Sequence, residues 1–329
     1  MGASLAYGSL RAASAACGLR SGRPSPRRPA SRRLWFALAA AAALLAARKA
    51  EPPAPPQLAP VQGAESYEYT HDKDTLLDVA ARAGVGFIPL TALNPDIDVW
   101  VPPENSRVRL PTDYVLPDAP HVGLVINVPE MRLYDYTSDP NNPTVLAVAV
   151  GDIGDPTPVR DFKIGGKRTD PVWTVPESIR AERPDLPAVV PAGPDNPLGD
   201  RWLTLGNTSY GIHGTNNLWS IGREATHGCV RLYNRDMRAL YDRVPTGTPV
   251  RIIYQRVKVG QRDGNVFVEA HPDPYDMDFE PLPGALARLV ALDVLGIVDG
   301  GSIRESAVRR VVTEARGVPV PVGRLAAPR

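Results

Sequence analysis

Cysteine is scarce in this chain, whose 329 residues include only Cys17 and Cys229. This scarcity excludes a disulfide framework as the basis of the fold. It also disfavours a zinc site, because the five histidines form no His-x-x-x-His motif and no Cys-x-x-Cys motif is present. If the N-terminal segment is removed on export, Cys229 remains as the lone thiol. A lone cysteine is either a buried, inert side chain or a candidate nucleophile, and its neighbours must decide between the two.

Acidic residues are absent from residues 1–50, which contain nine of the 37 basic residues. Four arginines, the first Arg27 and the last Arg33, precede an apolar run of 14 residues from Leu34 to Ala47. A run of this length fits the core of a signal peptide and is shorter than an ordinary membrane span. We therefore expect an exported, periplasmic protein. An uncleaved N-terminal membrane anchor remains the alternative, because charged residues follow the apolar run.

The remainder of the chain lacks an excess of positive charge. Without residues 1–50, 28 basic residues face 36 acidic ones, a net charge of −8. Nucleic-acid binders depend on clustered lysine and arginine to neutralise phosphates. This composition therefore excludes a nucleic-acid partner.

Proline marks the first domain boundary. Five of the nine residues at 52–60 are proline, so residues 51–66 are predicted to be a stiff, extended linker. A small α+β unit is expected at 67–115. Its pattern predicts a strand, two helices and a second strand, around Tyr67, Leu76, Leu90 and Val108.

Residues 120–256 are predicted to form a mainly β domain. Short segments rich in valine, isoleucine and leucine alternate there with Gly, Pro and Asp-Asn turns. One helix interrupts them at Asn234 to Val244, where Met237, Leu240 and Tyr241 recur at spacings of three and four.

A C-terminal extension is expected at 257–329. Asp263-Gly264 is a strong turn signal and predicts a hairpin over 257–270. Two helices are predicted after it, at 286–295 and 305–315, and the Pro-rich end is expected to be loose.

Two of the five histidines lie near Cys229 in sequence. His213 lies in the segment 210–215, and His227 precedes the cysteine by two residues. A cysteine thiol is only partly ionised at neutral pH, so an acyl-transfer enzyme needs a neighbouring base to supply the thiolate. His213 is the preferred candidate, because a separate strand can present its ring to the thiol while a backbone carbonyl holds its other nitrogen. His227 is then expected to line the site or to position an acceptor.

Further residues of the second block suit substrate or oxyanion binding, and the candidates are Thr226, His227, Gly228 and Arg231. Gly228 allows a substrate to approach the backbone closely, and amides around it could stabilise an oxyanion. Arg231 has the planar fork that grips a carboxylate. Plainer interpretations remain open: Thr226 and His227 could hydrogen-bond the loop, and Arg231 could close a structural ion pair.

The two blocks resemble a known enzyme family. His213-Gly214-Thr215 and the segment Thr226 to Arg231 are similar to the signature blocks of YkuD-type L,D-transpeptidases, and the resemblance extends over about 67–275. Further similar blocks are the segments 127–134, 171–174 and 191–199. Thr226 departs from the family pattern, which usually has Ser, but it retains the hydroxyl.

The unit at 67–115 resembles a LysM module, on the segments Asp74-Thr75-Leu76, Leu93-Asn94-Pro95 and Val108 to Pro111. LysM modules bind the glycan of peptidoglycan. The arrangement, with this unit before the catalytic domain, is similar to the ErfK/YbiS branch of the family. A packing unit without glycan affinity is the alternative.

The resemblance implies a fold and a reaction. The fold would be a catalytic β-sandwich with a capping helix. Cys229, paired with His213 whose orientation the Gly214 carbonyl holds, would attack the L,D bond of a peptidoglycan tetrapeptide stem and form a thioester. An amine would then resolve the thioester, giving a 3-3 cross-link from diaminopimelate or a wall anchor from a lysine of an outer-membrane lipoprotein.

The resemblance also implies sensitivity to carbapenems and a mechanism that requires no metal or organic cofactor. Two alternatives remain, of which only the first uses the same catalytic residues. In an L,D-carboxypeptidase water resolves the thioester, and a non-catalytic wall-binding protein would only bind glycan.

Overall fold

The computed structural model describes residues 58–277 and 281–327. The predicted signal segment 1–50 and residues 51–57 of the predicted linker lie outside the described residues. Within the described part, no single helix is long and apolar enough to cross a membrane; the helices Leu76–Ala83 and Phe87–Leu93 reach the required length and composition only as a pair, which is bent by 116°.

Strands dominate the described residues. They are β1 (Ala59–Gly63), β2 (Ser66–Tyr69), β3 (Arg107–Leu110), β4 (Asp113–Val115), β5 (Leu124–Asn127), β6 (Arg132–Asp135), β7 (Thr144–Ala147), β8 (Val150–Gly151), β9 (Asp161–Thr169), β10 (Trp173–Thr174), β11 (Val189–Val190), β12 (Arg201–Leu205), β13 (Gly211–His213), β14 (Glu224–Thr226), β15 (Val230–Arg231), β16 (Pro249–Ile253), β17 (Val257–Arg262), β18 (Asn265–Ala270), β19 (Val298–Asp299) and β20 (Val320–Leu325). The helices are α1 (Leu76–Ala83), α2 (Phe87–Leu93), α3 (Glu177–Glu182), α4 (Asn234–Arg243), α5 (Pro281–Val294) and α6 (Glu305–Glu314), with 3-10 turns at Leu218–Ser220 and Gly300–Ser302.

The region from β5 to β16 is built on an eight-stranded, curled sheet in the order β15-β13-β12-β9-β16-β5-β6-β7. Its core consists of apolar side chains from the central strands, among them Leu124, Ile126 and Leu203, which are fully buried. The helix α4 covers this core with Met237 and Leu240, as its helical spacing predicts. The predicted mainly β fold class is confirmed.

The strand, helix, helix, strand order predicted near the N-terminus is observed. The strands β2 and β3 pair antiparallel, and α1 and α2 pack on them through a separate apolar cluster that includes Leu76, Leu90 and Val108. A capping box between Thr75 and Asp78 starts α1, because the two residues satisfy amides that have no partner within the helix.

The predicted linker is wrong over its second half. Residues Ala59–Gly63 form β1, which pairs parallel with β17 and antiparallel with β4. Leu58 and Val61 are buried, and this burial of apolar side chains holds the segment in the sheet. The prolines predict only an extended spacer and do not indicate that the segment is buried.

The expectation of a loose C-terminal end is also wrong. The strand β20 pairs with β18 and β19 in a six-stranded sheet of order β19-β20-β18-β17-β1-β4. Val318 and Val322 are buried, although the prolines at 319 and 321 between them indicate an irregular end. The helices α5 and α6 cover this sheet through Leu289, Val308 and other apolar side chains.

A buried charge network joins the two sheets. Glu130 and Arg132 belong to the eight-stranded sheet region, whereas Lys258, Glu269 and His271 come from the C-terminal hairpin and the residue that follows it. Lys258 Nζ lies 2.8 Å from a Glu130 oxygen, and Arg132 Nη1 lies 3.1 Å from a Glu269 oxygen. The block 127–134, singled out from the sequence, thus supplies a structural link.

Candidate active site

A parallel strand pair brings the two sequence blocks together. In the pair of β13 and β15, Ile212 is opposite Val230 and His213 is opposite Arg231. Cys229 immediately precedes β15. Because side chains alternate along extended backbone and paired residues share a face, His213, Arg231 and Cys229 project to the same face of the two strands.

His213 is buried and held on two sides. Its Nδ1–H donates to the Gly214 carbonyl oxygen at 2.6 Å, and its ring stacks on Trp202 with 5.3 Å between ring centroids. Burial, reinforced by the charge of Arg231, lowers the pKa of His213 to about 3. The imidazole is therefore neutral at pH 7, and the hydrogen bond to Gly214 leaves Nε2 as its basic nitrogen.

The backbone around Cys229 is fixed by its neighbours. The hydroxyl of Thr226 donates to the carbonyl oxygen of Cys229 at 2.6 Å. Gly228 has a φ of +85°, and a Cβ at this position would lie 2.5 Å from the ring of Tyr210. Only glycine suits this conformation and this contact. These constraints hold the thiol at a set position before β15.

Burial raises the pKa of the Cys229 thiol, while a backbone hydrogen bond from Gly211 and the charge of Arg231 oppose the shift. The cysteine is the free thiol of the described residues and is partly exposed. The thiol is therefore protonated at neutral pH but accessible, and a neighbouring base would be needed to form the thiolate.

Arg231 carries unused hydrogen-bonding capacity beside the thiol. Its Nε atom is buried without a hydrogen-bond partner, and burial lowers the pKa of the guanidinium. A buried donor without a partner is unfavourable unless a ligand satisfies it. The arrangement suits the binding of an anionic group near Cys229.

His227 contacts Glu182 at the edge of the site. Its Nε2 atom lies 3.1 Å from a carboxylate oxygen of Glu182, the last residue of α3. Both side chains are partly or largely exposed, at 36% and 61%. His227 thus belongs to the rim of the site, next to a helix that the sequence did not indicate.

Among residues 58–277 and 281–327, two groups of acidic and histidine side chains have the proximity that a metal ion requires. Glu130, Glu269 and His271 are one group, but Lys258 and Arg132 already neutralise their carboxylates. Asp155, Glu182 and His227 are the other, with ligand atoms within 4.8 Å of one another. Neither of these two groups contains Cys229.

Asn234, which the sequence patterns do not single out as a site residue, fixes the backbone that follows His213. Asn234, at the start of α4, accepts from the Thr215 amide and donates to the Thr215 carbonyl, each at 2.9 Å. A Cβ on Gly214 would lie 2.1 Å from the Asn234 side chain. Gly214 is therefore required for close packing, in addition to the carbonyl it offers His213. Asn234 is the first residue of the predicted helix, and the helical pattern does not indicate its contacts with Thr215 and Gly214.

Residues 214–228, which we call the crossover segment, connect β13 to Cys229 and are braced by the N-terminal unit. The amides of Phe87 and Ile88, at the start of α2, donate to the carbonyls of Ile221 and Gly222 at 3.0 and 3.2 Å. These amides have no partner within the helix and carry its positive dipole end. The small N-terminal unit therefore fixes the middle of the segment that leads to the cysteine.

The part of the chain that contains this site is similar to known proteins. A family model described as the L,D-transpeptidase catalytic domain, YkuD, matches residues 121–252. The solved structure of an L,D-transpeptidase from Mycobacterium tuberculosis H37Rv aligns with a TM-score of 0.32 and 16% identity, covering 61% of this chain and 95% of that chain.

Relatives extend the similarity beyond this domain. The chain is 34% identical over 303 residues to "Probable L,D-transpeptidase YcfS" of Escherichia coli (strain K12), covering 88% of this chain and 94% of that protein. It is 40% identical over 198 residues to "Probable L,D-transpeptidase YbiS" of the same strain, covering 58% of this chain and 64% of that protein. The chain belongs to the L,D-transpeptidase family.

Proposed function

We propose that this protein is a peptidoglycan L,D-transpeptidase in which Cys229 is the nucleophile and His213 the general base. Family membership supports action on peptidoglycan stems. The parallel pairing of β13 with β15 supports these residue assignments. His213 lies opposite Arg231 in this pair, and by the alternation of side chains it shares a face with Cys229. A thiol beside a neutral imidazole is the arrangement that cysteine-dependent acyl transfer needs.

The first half-reaction begins from two neutral groups. Because burial raises the pKa of Cys229 and lowers that of His213, the proton leaves Sγ for Nε2 of His213 as sulfur attacks. The attacked carbon is the carbonyl of the L,D bond between the third and fourth residues of the tetrapeptide stem. Amides around Gly228 and Cys229 donate to the oxyanion of the tetrahedral intermediate.

The collapse of this intermediate completes acylation. The carbon–nitrogen bond breaks, the imidazolium returns its proton to the departing nitrogen, and D-alanine leaves. A thioester joins the stem to Cys229. Arg231 binds a stem carboxylate through the donor capacity that its buried Nε retains, and His227 and Thr226 shape the surrounding loop.

The second half-reaction requires a nucleophile that reaches the thioester. His213 accepts the proton of an incoming amine, a new amide bond forms, and Sγ leaves as the thiol with that proton. A diaminopimelate amine yields a 3-3 cross-link, and a lysine of an outer-membrane lipoprotein yields a wall anchor. Water yields only a shortened stem, which is the outcome of an L,D-carboxypeptidase.

We also propose that the enzyme acts in the periplasm and that the unit at 67–115 binds wall glycan as a LysM-like module. The basic, apolar N-terminal segment supports the first assignment. The strand, helix, helix, strand order supports the second. Cell fractionation tests the location, and recovery in the cytoplasm would contradict it.

Acylation by a carbapenem tests the proposed nucleophile directly. We expect intact-protein mass spectrometry to show a stoichiometric adduct on the native chain and none on Cys229→Ala. Incubation with a tetrapeptide muropeptide and an amine acceptor then distinguishes the reactions. New amide-linked products support transpeptidation, tripeptide alone supports hydrolysis, and a folded native chain without adduct or product would contradict both.

A further inference from the structure

Two exposed tryptophans from different parts of the chain meet on the surface. Trp100 lies in the loop between α2 and β3, and Trp219 lies in the 3-10 turn of the crossover segment. Their rings stack with 5.6 Å between centroids and an interplanar angle of 30°, yet each residue is 54% exposed. We call this pair the tryptophan platform.

Both turns that carry these indoles are held rigidly. A carboxylate oxygen of Asp98 accepts from the amides of Trp100 and Val101, each at 2.8 Å. On the other side, the side chain of Asn217 accepts from the Trp219 amide at 3.1 Å. The platform is therefore preorganised, which lowers the entropic cost of binding a ligand to it.

The surroundings of the platform favour a neutral, polar ligand. Asp98 is the one ionisable residue in the turns 98–101 and 216–220, and its carboxylate is engaged by backbone amides. Flat indole faces pack well against the C–H face of a pyranose ring, while sugar hydroxyls stay in contact with water. An exposed, ordered aromatic surface of this kind marks an interaction site.

We propose that Trp100 and Trp219 form a binding platform for the glycan strand of peptidoglycan, shared between the N-terminal unit and the catalytic domain. This inference rests on the proposed function, in which the reacting stem is attached to such a strand. Trp219 lies on the segment that leads to Cys229, and the start of α2 holds the carbonyls of Ile221 and Gly222. Sugar bound at the platform therefore anchors the substrate at a fixed position relative to the thiol, and remote binding energy of this kind favours catalysis.

A binding experiment tests the platform without catalysis. The full-length chain is titrated with peptide-free glycan oligomers, and affinity is measured by calorimetry. We expect Trp100→Ala and Trp219→Ala each to weaken binding roughly tenfold, Trp219→Phe to retain much of the affinity, and Trp219→Leu to lose it. Val290→Ala, which shortens an exposed apolar residue on α5, is the control and should bind as the native chain does.

Unchanged glycan affinity in both alanine variants would overturn the proposal. Full affinity in Trp219→Leu would also overturn it, because leucine preserves apolar area but not a flat ring. Loss of self-association in the alanine variants, with glycan affinity unchanged, would instead assign the platform to a second copy of the chain. Circular dichroism verifies the fold of each variant, and if Trp219→Ala does not fold, the phenylalanine and leucine variants decide.

A kinetic comparison separates this proposal from the proposed function. With free tetrapeptide, the platform variants should match the native enzyme. With glycan-linked stems, their KM should rise roughly tenfold while kcat is unchanged. A native enzyme that converts neither substrate would contradict the proposed function, and the glycan titration would still decide the role of the platform.

Discussion

The hydroxyl of Thr226 donates a hydrogen bond to the backbone carbonyl of Cys229, with 2.6 Å between the two oxygens. This contact closes the turn that presents the thiol, and it lies next to the left-handed backbone of Gly228. The side chain of Thr226 is buried, so the hydroxyl has no alternative partner in water. This hydrogen bond gives the side-chain hydroxyl at position 226 a structural role. The family pattern usually has Ser at this position, which carries the same hydroxyl.

Replacement of Thr226 by Val should therefore slow acylation. Val keeps the volume and loses the donor, so the Cys229 carbonyl is left without this bond, at a cost of about 1–3 kcal/mol. Thr226→Ser is the matched control and should behave as the native enzyme. The rate of carbapenem adduct formation checks this, and equal rates for the valine and serine variants would show that the bond has no catalytic role.

His213 and His227 should differ in their importance. His213→Ala is expected to reduce acylation by about 10²–10⁴-fold, the usual contribution of a general base. His227→Ala, which loses an exposed contact with Glu182, should have a much smaller effect. Glu182→Gln is the control for that contact. A larger loss in His227→Ala than in His213→Ala would reverse the assigned roles.

Arg231 should act mainly on substrate affinity. In Arg231→Lys the charge near His213 and Cys229 is retained and the planar fork is lost. We expect KM for the tetrapeptide to rise roughly tenfold in this variant with little change in kcat. Arg231→Ala removes the charge as well and shows how much the electrostatics contribute. Unchanged apparent affinity in both variants would remove the proposed carboxylate contact.

Acid should destabilise the fold through His213. Its pKa is lowered to about 3 in the folded state, whereas an unfolded histidine titrates near 6.5. Between these values the unfolded chain binds more protons, so stability falls as the pH decreases through this window, by at most about 1.4 kcal/mol per pH unit. Urea unfolding at pH 7.5 and pH 5 measures the effect. His213→Gln should reduce the pH dependence, and an identical dependence would contradict a buried, neutral imidazole.

Lys258 should be essential for the stability of the joint between the two sheets. Its ammonium lies 2.8 Å from Glu130 and 3.1 Å from Glu269, all of them fully buried. Lys258→Met leaves Arg132 to neutralise two carboxylates, so one buried negative charge loses its partner, which typically costs about 3–5 kcal/mol. Lys163→Met, at an exposed position, is the control. Equal unfolding free energies for the two variants would show that the network does not stabilise the fold.

Much of the local structure could be predicted from short-range patterns. The spacing of Met237 and Leu240 predicts α4, and Asp263-Gly264 predicts the hairpin of β17 and β18. These signals act within a few residues, where side-chain periodicity and turn conformation dominate. The same patterns did not predict β1 and β20, because their prolines are typical of spacers and loops and because both strands form by pairing with distant partners.

A candidate nucleophile and its neighbours along the chain could be identified from the sequence. The scarcity of cysteine leaves Cys229 as the candidate nucleophile, and the motif around it indicates the family. Tertiary structure alone decided which side chains meet: His213 with Arg231, His227 with Glu182, and Trp100 with Trp219. The physical reason is that these contacts depend on strand register and on the packing of distant segments, which local propensity does not encode.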